Sequence, residues 1–387
     1  MPRPPKYGYY EFFAGGGMAR AGLAGSWDCL FANDIDPKKA RTYEANWPGA
    51  PFKLCSVQGL KTSDLPGEAD LAWASFPCQD LSLAGDGAGL AGRRSGVFWS
   101  FWRLMRDLNR AGRPPKTIVI ENVCGALSSH GGKDFAAICA ALAQEGYRFG
   151  ALVIDAARFV PQSRPRLFII SVRSEFAIPP ELLASEPAAI WAPRSLRAAH
   201  RALPPRLSAA SLWWRLSEPP LRKSTLSDIV EVAPNSTPWD DPGETERLLN
   251  MMSPNNLAKV EEAMAAGERR IGGLYRRTRT DRSGNKVQRA EVRFDDVAGC
   301  LRTPAGGSSR QRLLFVEGNR IRSRLISPRE TARLMGLPDS YELPAQNSVA
   351  YRLTGDGVVV PVVRHLAAHL LEPILDAQRR RQDREAA

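Results

Sequence analysis

A short apolar run, Leu71-Ala72-Trp73-Ala74-Ser75, stops at Phe76-Pro77-Cys78-Gln79 and gives way to a glycine-rich stretch from Asp80 to Gly96. The run is too short for a helix. Being apolar throughout, it fits a strand buried inside a parallel sheet. The glycine-rich stretch is too permissive for a regular element and has the composition of a hinged flap. Cys78 therefore follows a core strand at its carboxyl end, where open α/β sheets place ligands. A free cysteine taken alone is more often a small buried hydrophobe, so its neighbours in the chain have to decide.

Those neighbours keep a strand–helix rhythm. Strands are expected at residues 9–13, 29–32, 117–120, 147–154 and 167–172, with a third strand ending near Cys55-Ser56-Val57. Helices are expected at 19–23, 97–108 and 135–145. The alternation predicts an α/β fold, a doubly wound and mostly parallel sheet. Ala14-Gly15-Gly16-Gly17-Met18 is a glycine turn from strand to helix, suited to close approach of a cofactor. Asn33-Asp34-Ile35-Asp36 follows at about the distance where a carboxylate takes a ribose diol. One of the two aspartates is expected to cap the next helix while the other serves the ligand. Glu121 ends an apolar strand on the same sheet edge as Cys78. Poor solvation there favours a carboxyl that holds its proton.

Composition removes other classes. The six cysteines form no CxxC pair and the four histidines no cluster with them, so neither a metal site nor a disulfide framework is expected. No apolar run reaches bilayer length and the first residues lack a signal-peptide core, which points to a cytoplasmic protein with no membrane association. The net charge is +12, and Arg269 to Arg293 alone carries nine Arg/Lys against Asp281 and Glu291. Arginine dominates that stretch, as suits bidentate contacts to phosphate and guanine, so nucleic acid is the expected partner.

After Arg173 the rhythm is lost. We expect a catalytic and cofactor-binding domain over 1–173, a smaller binding domain with a joining segment over 174–345, and a segment over 346–387 that returns to the first. The segments within 174–300 are too weakly periodic to predict helix or strand. Ser327-Pro328-Arg329-Glu330 has the pattern of a capped helix start. Residues 300–309 read as a loop, Gly355-Asp356-Gly357 as a turn, 362–371 as a helix, and Arg379-Arg380-Arg381 as a disordered tail.

Phe13-Ala14-Gly15-Gly16-Gly17, Pro77-Cys78-Gln79, Glu121-Asn122-Val123, Gln162-Ser163-Arg164-Pro165-Arg166, Ser327-Pro328-Arg329-Glu330 and Gly355-Asp356-Gly357-Val358 occur in that order. In this series the chain resembles the DNA (cytosine-5) methyltransferases of bacterial restriction–modification type, over nearly its whole length. Each block is weak alone; six in order are specific. The chain has Glu11 where the family usually has aspartate, and Asp356-Gly357 where it often has asparagine and serine. It also lacks an aspartate common near Ser56 and Val57.

The resemblance implies an S-adenosylmethionine-dependent, Rossmann-like methyltransferase with a target-recognition domain, acting on double-stranded DNA as a monomer. A restriction endonuclease for the same site would be a functional counterpart rather than a bound partner. It implies Cys78 as nucleophile toward C6 of cytosine and Glu121 as proton donor to N3. Arg166 would hold the base at O2, and Arg164 would position it near the thiol. The base would be turned out of the duplex. Cofactor contacts would come from Glu11, Phe13, Ala14, Gly15, Gly16, Gly17, Asp34, Ile35, Ser56, Val57, Pro77, Asp356, Gly357 and Val358. DNA contacts would come from Gln79, Ser82, Arg94, Arg276, Arg277, Arg279 and Arg302. Two rivals follow from the same blocks: an RNA cytosine-5 methyltransferase and an inactive DNA-binding regulator. A dinucleotide-dependent dehydrogenase accounts for the first 40 residues only.

Overall fold

The computed structural model describes residues 7–77, 97–232, 234, 236–280, 283–303 and 310–386. Cys78, Gln79, Ser82 and Arg94, with the expected flap, lie outside the described residues. Two compact units are present, one of Met1–Asp155, Pro165–Pro219 and Val360–Ala387, the other of Ala156–Arg164 and Pro220–Val359.

The first unit is built on nine strands: β1 Tyr7–Phe12, β2 Trp27–Asp34, β3 Phe52–Leu54, β4 Leu71–Ala74, β5 Thr117–Val123, β6 Tyr147–Asp155, β7 Pro165–Arg173, β8 Leu183–Ala184 and β9 Ser211–Trp214. Their order is β3-β2-β1-β4-β5-β7-β6-β9-β8. The stretch from β3 to β5 is parallel, and β7 runs antiparallel between β5 and β6. This is the expected doubly wound, mostly parallel sheet. Strand order reverses between β1 and β4, which makes the gap beyond their carboxyl ends a ligand crevice.

Helices α1 Met18–Leu23, α2 Pro37–Asn46, α3 Val97–Arg110 and α4 Lys133–Gln144 flank the strands. β4 is buried at every residue, as its unbroken apolar run requires. α3 buries Phe98, Phe101, Trp102, Leu104, Met105 and Leu108, a helical stripe whose Phe101 ring meets Phe12 of β1 edge-on at 5.0 Å.

Three expectations need correction. β5 does not stop before Glu121 but runs through Val123, because Glu121, Asn122 and Val123 pair with Phe168, Leu167 and Arg166 of β7. Arg379 to Arg381 are not a loose tail but part of the helix Glu372–Ala386, where Arg379 lies 4.7 Å from the Tyr7 ring centre and pairs with Asp70. The helical run Asn347–Glu385 does contain an 18-residue window of mean hydropathy 1.5, enough to cross a membrane by length and composition. That run is broken at Gly357–Val359, and 61% of the window is buried inside the protein, as in a core helix.

The second unit centres on an antiparallel sheet of β10 Arg270–Thr280, β11 Lys286–Arg293, β12 Arg312–Glu317 and β13 Arg320–Leu325, ordered β11-β10-β12-β13. Leu274, Ala290, Val292, Leu314 and Val316 cover one face with the helices Pro242–Asn250 and Pro254–Ala265, through Leu248, Val260 and Ala263. The helix from Pro328 starts at the expected box: Ser327 Oγ accepts from the Glu330 N–H and Glu330 accepts from the Ser327 N–H. Glu330 also takes both ends of the Arg324 guanidinium, and both side chains are fully buried.

Candidate active site

The end of β4 and the end of β5 lie side by side because the strands pair in parallel, Ala74 opposite Ile120. Phe76 and Pro77 continue from β4, and Asn122 Nδ2 donates to the Phe76 carbonyl at 3.2 Å, tying the segment that leads into Cys78 to β5. Glu121, one residue from that tie, is 6% exposed. Arg166 enters from β7, and its Nε lies 3.4 Å from Glu121 Oε1. A carboxyl so shielded, with a guanidinium beside it, is held at a fixed place and can exchange a proton with a bound group. Sequence reasoning missed Asn122 as the link; the signal was a polar side chain at a strand position that the sheet buries.

The second half of the site is the turn after β1. Phe13 adopts φ +59°, a left-handed conformation rare for a bulky residue and characteristic of functional turns. Gly17, at φ +74°, could not carry a side chain, because a Cβ there would sit 2.3 Å from the Trp47 ring. The Gly15 N–H donates to Asp34 Oδ2 at 2.8 Å, and the Asp36 N–H donates to Asp34 Oδ1 at 2.9 Å. Asp36 is the helix cap, accepting from Lys38 N–H at the start of α2. The open choice between the aspartates is thereby divided: Asp36 caps, and Asp34 stands at the turn, where each oxygen keeps a lone pair.

Beside it Ile35 is 69% exposed and Leu54 51% exposed, two apolar side chains left uncovered at adjacent strand ends. Asn33, buried, donates to the Cys55 carbonyl at 3.1 Å and leaves its Oδ1 without a partner among the described residues. An uncovered apolar shelf, an orphaned amide oxygen and a strained glycine turn fit a nucleoside with a polar tail. Ser56 begins the turn Val57–Gly59, its Oγ accepting from Gln58 N–H, and Val57 is buried.

Glu11 lies beneath this turn rather than in it. It is 1% exposed, and Tyr43 Oη donates to its Oε2 at 3.3 Å while Arg20 NH1 donates to Tyr43 Oη at 3.1 Å. Burial pushes the Glu11 carboxyl up to about 8, with the Arg20 guanidinium opposing. Arg20 and Tyr43 were not anticipated, since nothing in their spacing marks them as partners of Glu11.

Arg164 and Arg166 have separate surroundings although two residues apart. In the second unit Arg164 is 2% exposed, and its NH1 donates to the Leu301 carbonyl at 3.1 Å. Its NH2 donates to the carbonyls of Gly355 and Gly357 at 2.8 and 2.7 Å. Gly355 is packed so closely that a Cβ would come within 2.9 Å of Thr303 N. Arg164 thus fastens the loop Cys300–Thr303 to the end of the helix Asn347–Asp356. Asp356 accepts from Thr303 Oγ1, Val358 is buried and Arg302 is exposed, all in this unit. On β10, Arg277 and Arg279 are exposed and share Glu291 of β11, at 3.4 and 2.5 Å, with Arg276 half-buried beside them.

The description "C-5 cytosine-specific DNA methylase" belongs to a family model that matches residues 7–372. The Type II methyltransferase M.NlaX of Neisseria lactamica is 25% identical over 365 residues, 93% of this chain and 95% of that protein. The Type II methyltransferase M.HpaII of Haemophilus parainfluenzae is 25% identical over 390 residues, 95% of this chain and 90% of that protein. Among solved structures, the Entamoeba histolytica methyltransferase EhMeth has the same fold, with a TM-score of 0.62 at 14% identity over 96% of this chain and 99% of that one.

Proposed function

This chain belongs to the C-5 cytosine-specific DNA methylases, and on that footing we propose that it methylates one cytosine within a specific sequence of double-stranded DNA, through a thiol adduct to a base turned out of the helix. The methyl donor is S-adenosylmethionine. Phe13, the glycine turn, Asp34, Ile35 and the Pro77 backbone are the residues we assign to holding it. Asp34 keeps lone pairs for the ribose hydroxyls, and Ile35 with Leu54 offers the apolar cover for adenine. Glu11, Ser56 and Val57 support that cradle from beneath. When bound, the cofactor presents an electrophilic methyl group to C5.

C5 of cytosine is a poor nucleophile within an aromatic ring, so the ring must first be activated. The Cys78 thiolate adds to C6 as the C5–C6 double bond opens, and the electron pair moves toward N3 and O2. Glu121 gives a proton to N3 as charge builds there, while Arg166 stabilises O2 and keeps the carboxyl oriented. After transfer, N3 returns its proton to the Glu121 carboxylate, and a water molecule takes the C5 proton, whose electron pair re-forms the C5–C6 double bond. The thiolate leaves from C6 and aromaticity is restored. C6 is hidden inside a duplex stack, which is why the base has to be extruded. The observation that carries this reading is the juxtaposition of Glu121, Arg166 and the segment leading into Cys78 at one sheet edge.

Choice of sequence we assign to the second unit, with Arg276, Arg277, Arg279 and Arg302 as DNA contacts and Arg164 as the fastener of the Arg302 loop. Gln79, Ser82 and Arg94 are assigned to DNA contacts from the flap. Relatives named Type II methyltransferases suggest modification of a site that an endonuclease also recognises.

DNA in which cytosine is replaced by 5-fluorocytosine tests the adduct, because the fluorine blocks the release step. A denaturation-resistant protein–DNA complex should form with the wild-type protein and S-adenosylmethionine, and none with Cys78→Ala. If the alanine variant is trapped equally, Cys78 is not the nucleophile. If transfer RNA is methylated in preference to duplex DNA, the substrate assignment fails.

A further inference from the structure

Between Pro187 and Ser217 the chain has five arginines and no acidic residue. This segment sits in the first unit, the unit of Glu121, not in the arginine-rich second one. Its helix Arg194–Arg201 buries Leu196 and packs against β6 and against Cys124–Leu127, the turn that directly follows Val123. Leu203 and Leu207 join Leu196 in the core shared with Ala126 and Leu127. The apolar side is thus fixed to the strand-end region that carries Glu121. On the opposite side Arg194, Arg197 and Arg201 recur at helical spacing, and Arg206 follows on the next turn. All four are exposed, and their side chains have no hydrogen bond or ion pair among the described residues.

Arginines at such spacing repel one another, and a surface that keeps them without an ion pair among the described residues suits a polyanion. We infer that Arg194, Arg197, Arg201 and Arg206 form a second DNA-contacting surface, one that grips phosphates of the substrate duplex outside the sequence being read. The surface adds affinity without adding sequence information. It rests on duplex DNA being the substrate, but not on which residue is the nucleophile.

The test compares wild-type protein with a variant carrying Arg194→Gln, Arg197→Gln, Arg201→Gln and Arg206→Gln. Binding to a fluorescent duplex of arbitrary sequence, about three helical turns long, is measured by anisotropy across a potassium chloride series. Each phosphate that the variant no longer neutralises should flatten the slope of log K against log salt by about 0.9. We expect flattening by two or more, with weaker binding at low salt. The corresponding quadruple Arg→Lys variant should restore most of the slope, because the attraction is one of charge; this separates removal of charge from misfolding. Unchanged slope and affinity in the glutamine variant would overturn the inference, as would a larger effect on transfer RNA than on the duplex. Methyl incorporation into plasmid by the wild-type protein is scored separately. Its absence would sink the methylation reading and leave the binding result standing.

Discussion

In the first unit, the chemistry we propose rests on a group that is buried and individually partnered, Glu121 at 6% exposure against Arg166, whereas on β10 and β11 of the second unit exposed Arg277 and Arg279 crowd around one Glu291. A buried ionisable group has few substitutes and strong local fields, so removing it changes much. Exposed cations are screened, share their work with neighbours and are individually weak. The difference predicts a steep hierarchy of mutational effects, and each experiment below can break it.

The largest effect should come from Glu121→Gln. The amide keeps the shape but cannot act as a carboxylic acid, and loss of general acid catalysis typically costs about 10²–10⁴-fold. We expect that fall in the single-turnover rate with S-adenosylmethionine affinity unchanged, measured by rapid quench and calorimetry. An unchanged rate would mean that the buried edge is structural only.

Next comes a case in the second unit that asks whether burial, and not membership of a unit, sets the scale. Arg324 and Glu330 are both wholly buried and joined by two hydrogen bonds. Arg324→Ala strands the Glu330 carboxylate, and breaking such a pair costs about 3–5 kcal/mol. Arg279→Ala, at the exposed end of the same sheet, should cost no more than about 0.5 kcal/mol. Urea unfolding of the two variants gives the contrast directly, and similar destabilisation of both would erase it.

Glu11 tests burial through pH. Its carboxyl is pushed up to about 8 from 4.5 by desolvation, so the folded chain holds a proton that the unfolded chain releases. Stability from this group is therefore full below about 4.5 and falls as pH rises toward 8. Glu11→Gln should remove that slope when unfolding free energy is followed from pH 5 to 8, and a slope identical to wild type would show that Glu11 does not titrate there.

How far these features could be read from the chain follows the same division. The strands β1, β2, β4, β5, β6 and β7 were legible because their apolar runs are bounded by glycine, proline or polar residues, and the Ser327–Glu330 box was legible because capping is a local rule. The end of β5 was not, since Glu121 is drawn into the strand by pairing with Phe168 of β7, a residue 47 positions away. Nor was the surrounding of Arg164, whose acceptors are carbonyls at Leu301, Gly355 and Gly357. Backbone acceptors leave no trace in residue type. The aspartate pair shows the boundary: the sequence supplied both roles, and only the Gly15 and Lys38 amides assign them. The strands β8 and β9 hid for a similar reason, being two and four residues long at the sheet edge.

The smallest effects should come from the β10–β11 hairpin, and they sharpen the comparison most. If Arg277 and Arg279 touch phosphate only, replacing either by glutamine should weaken duplex binding modestly on every sequence and flatten the salt slope by about 0.9. Glu291 already shares both cations, so the single effects should be less than additive, with the survivor drawing more of its charge. If instead one arginine forks onto a guanine, its removal should cost about 1–3 kcal/mol on the cognate site alone and relax the choice of base there. Bisulfite sequencing of plasmid from cells expressing each variant would register that relaxation as new methylated positions. A single exposed arginine with so selective an effect would show that exposure in the free protein is a poor guide to its weight in the complex, because the DNA itself would supply the burial.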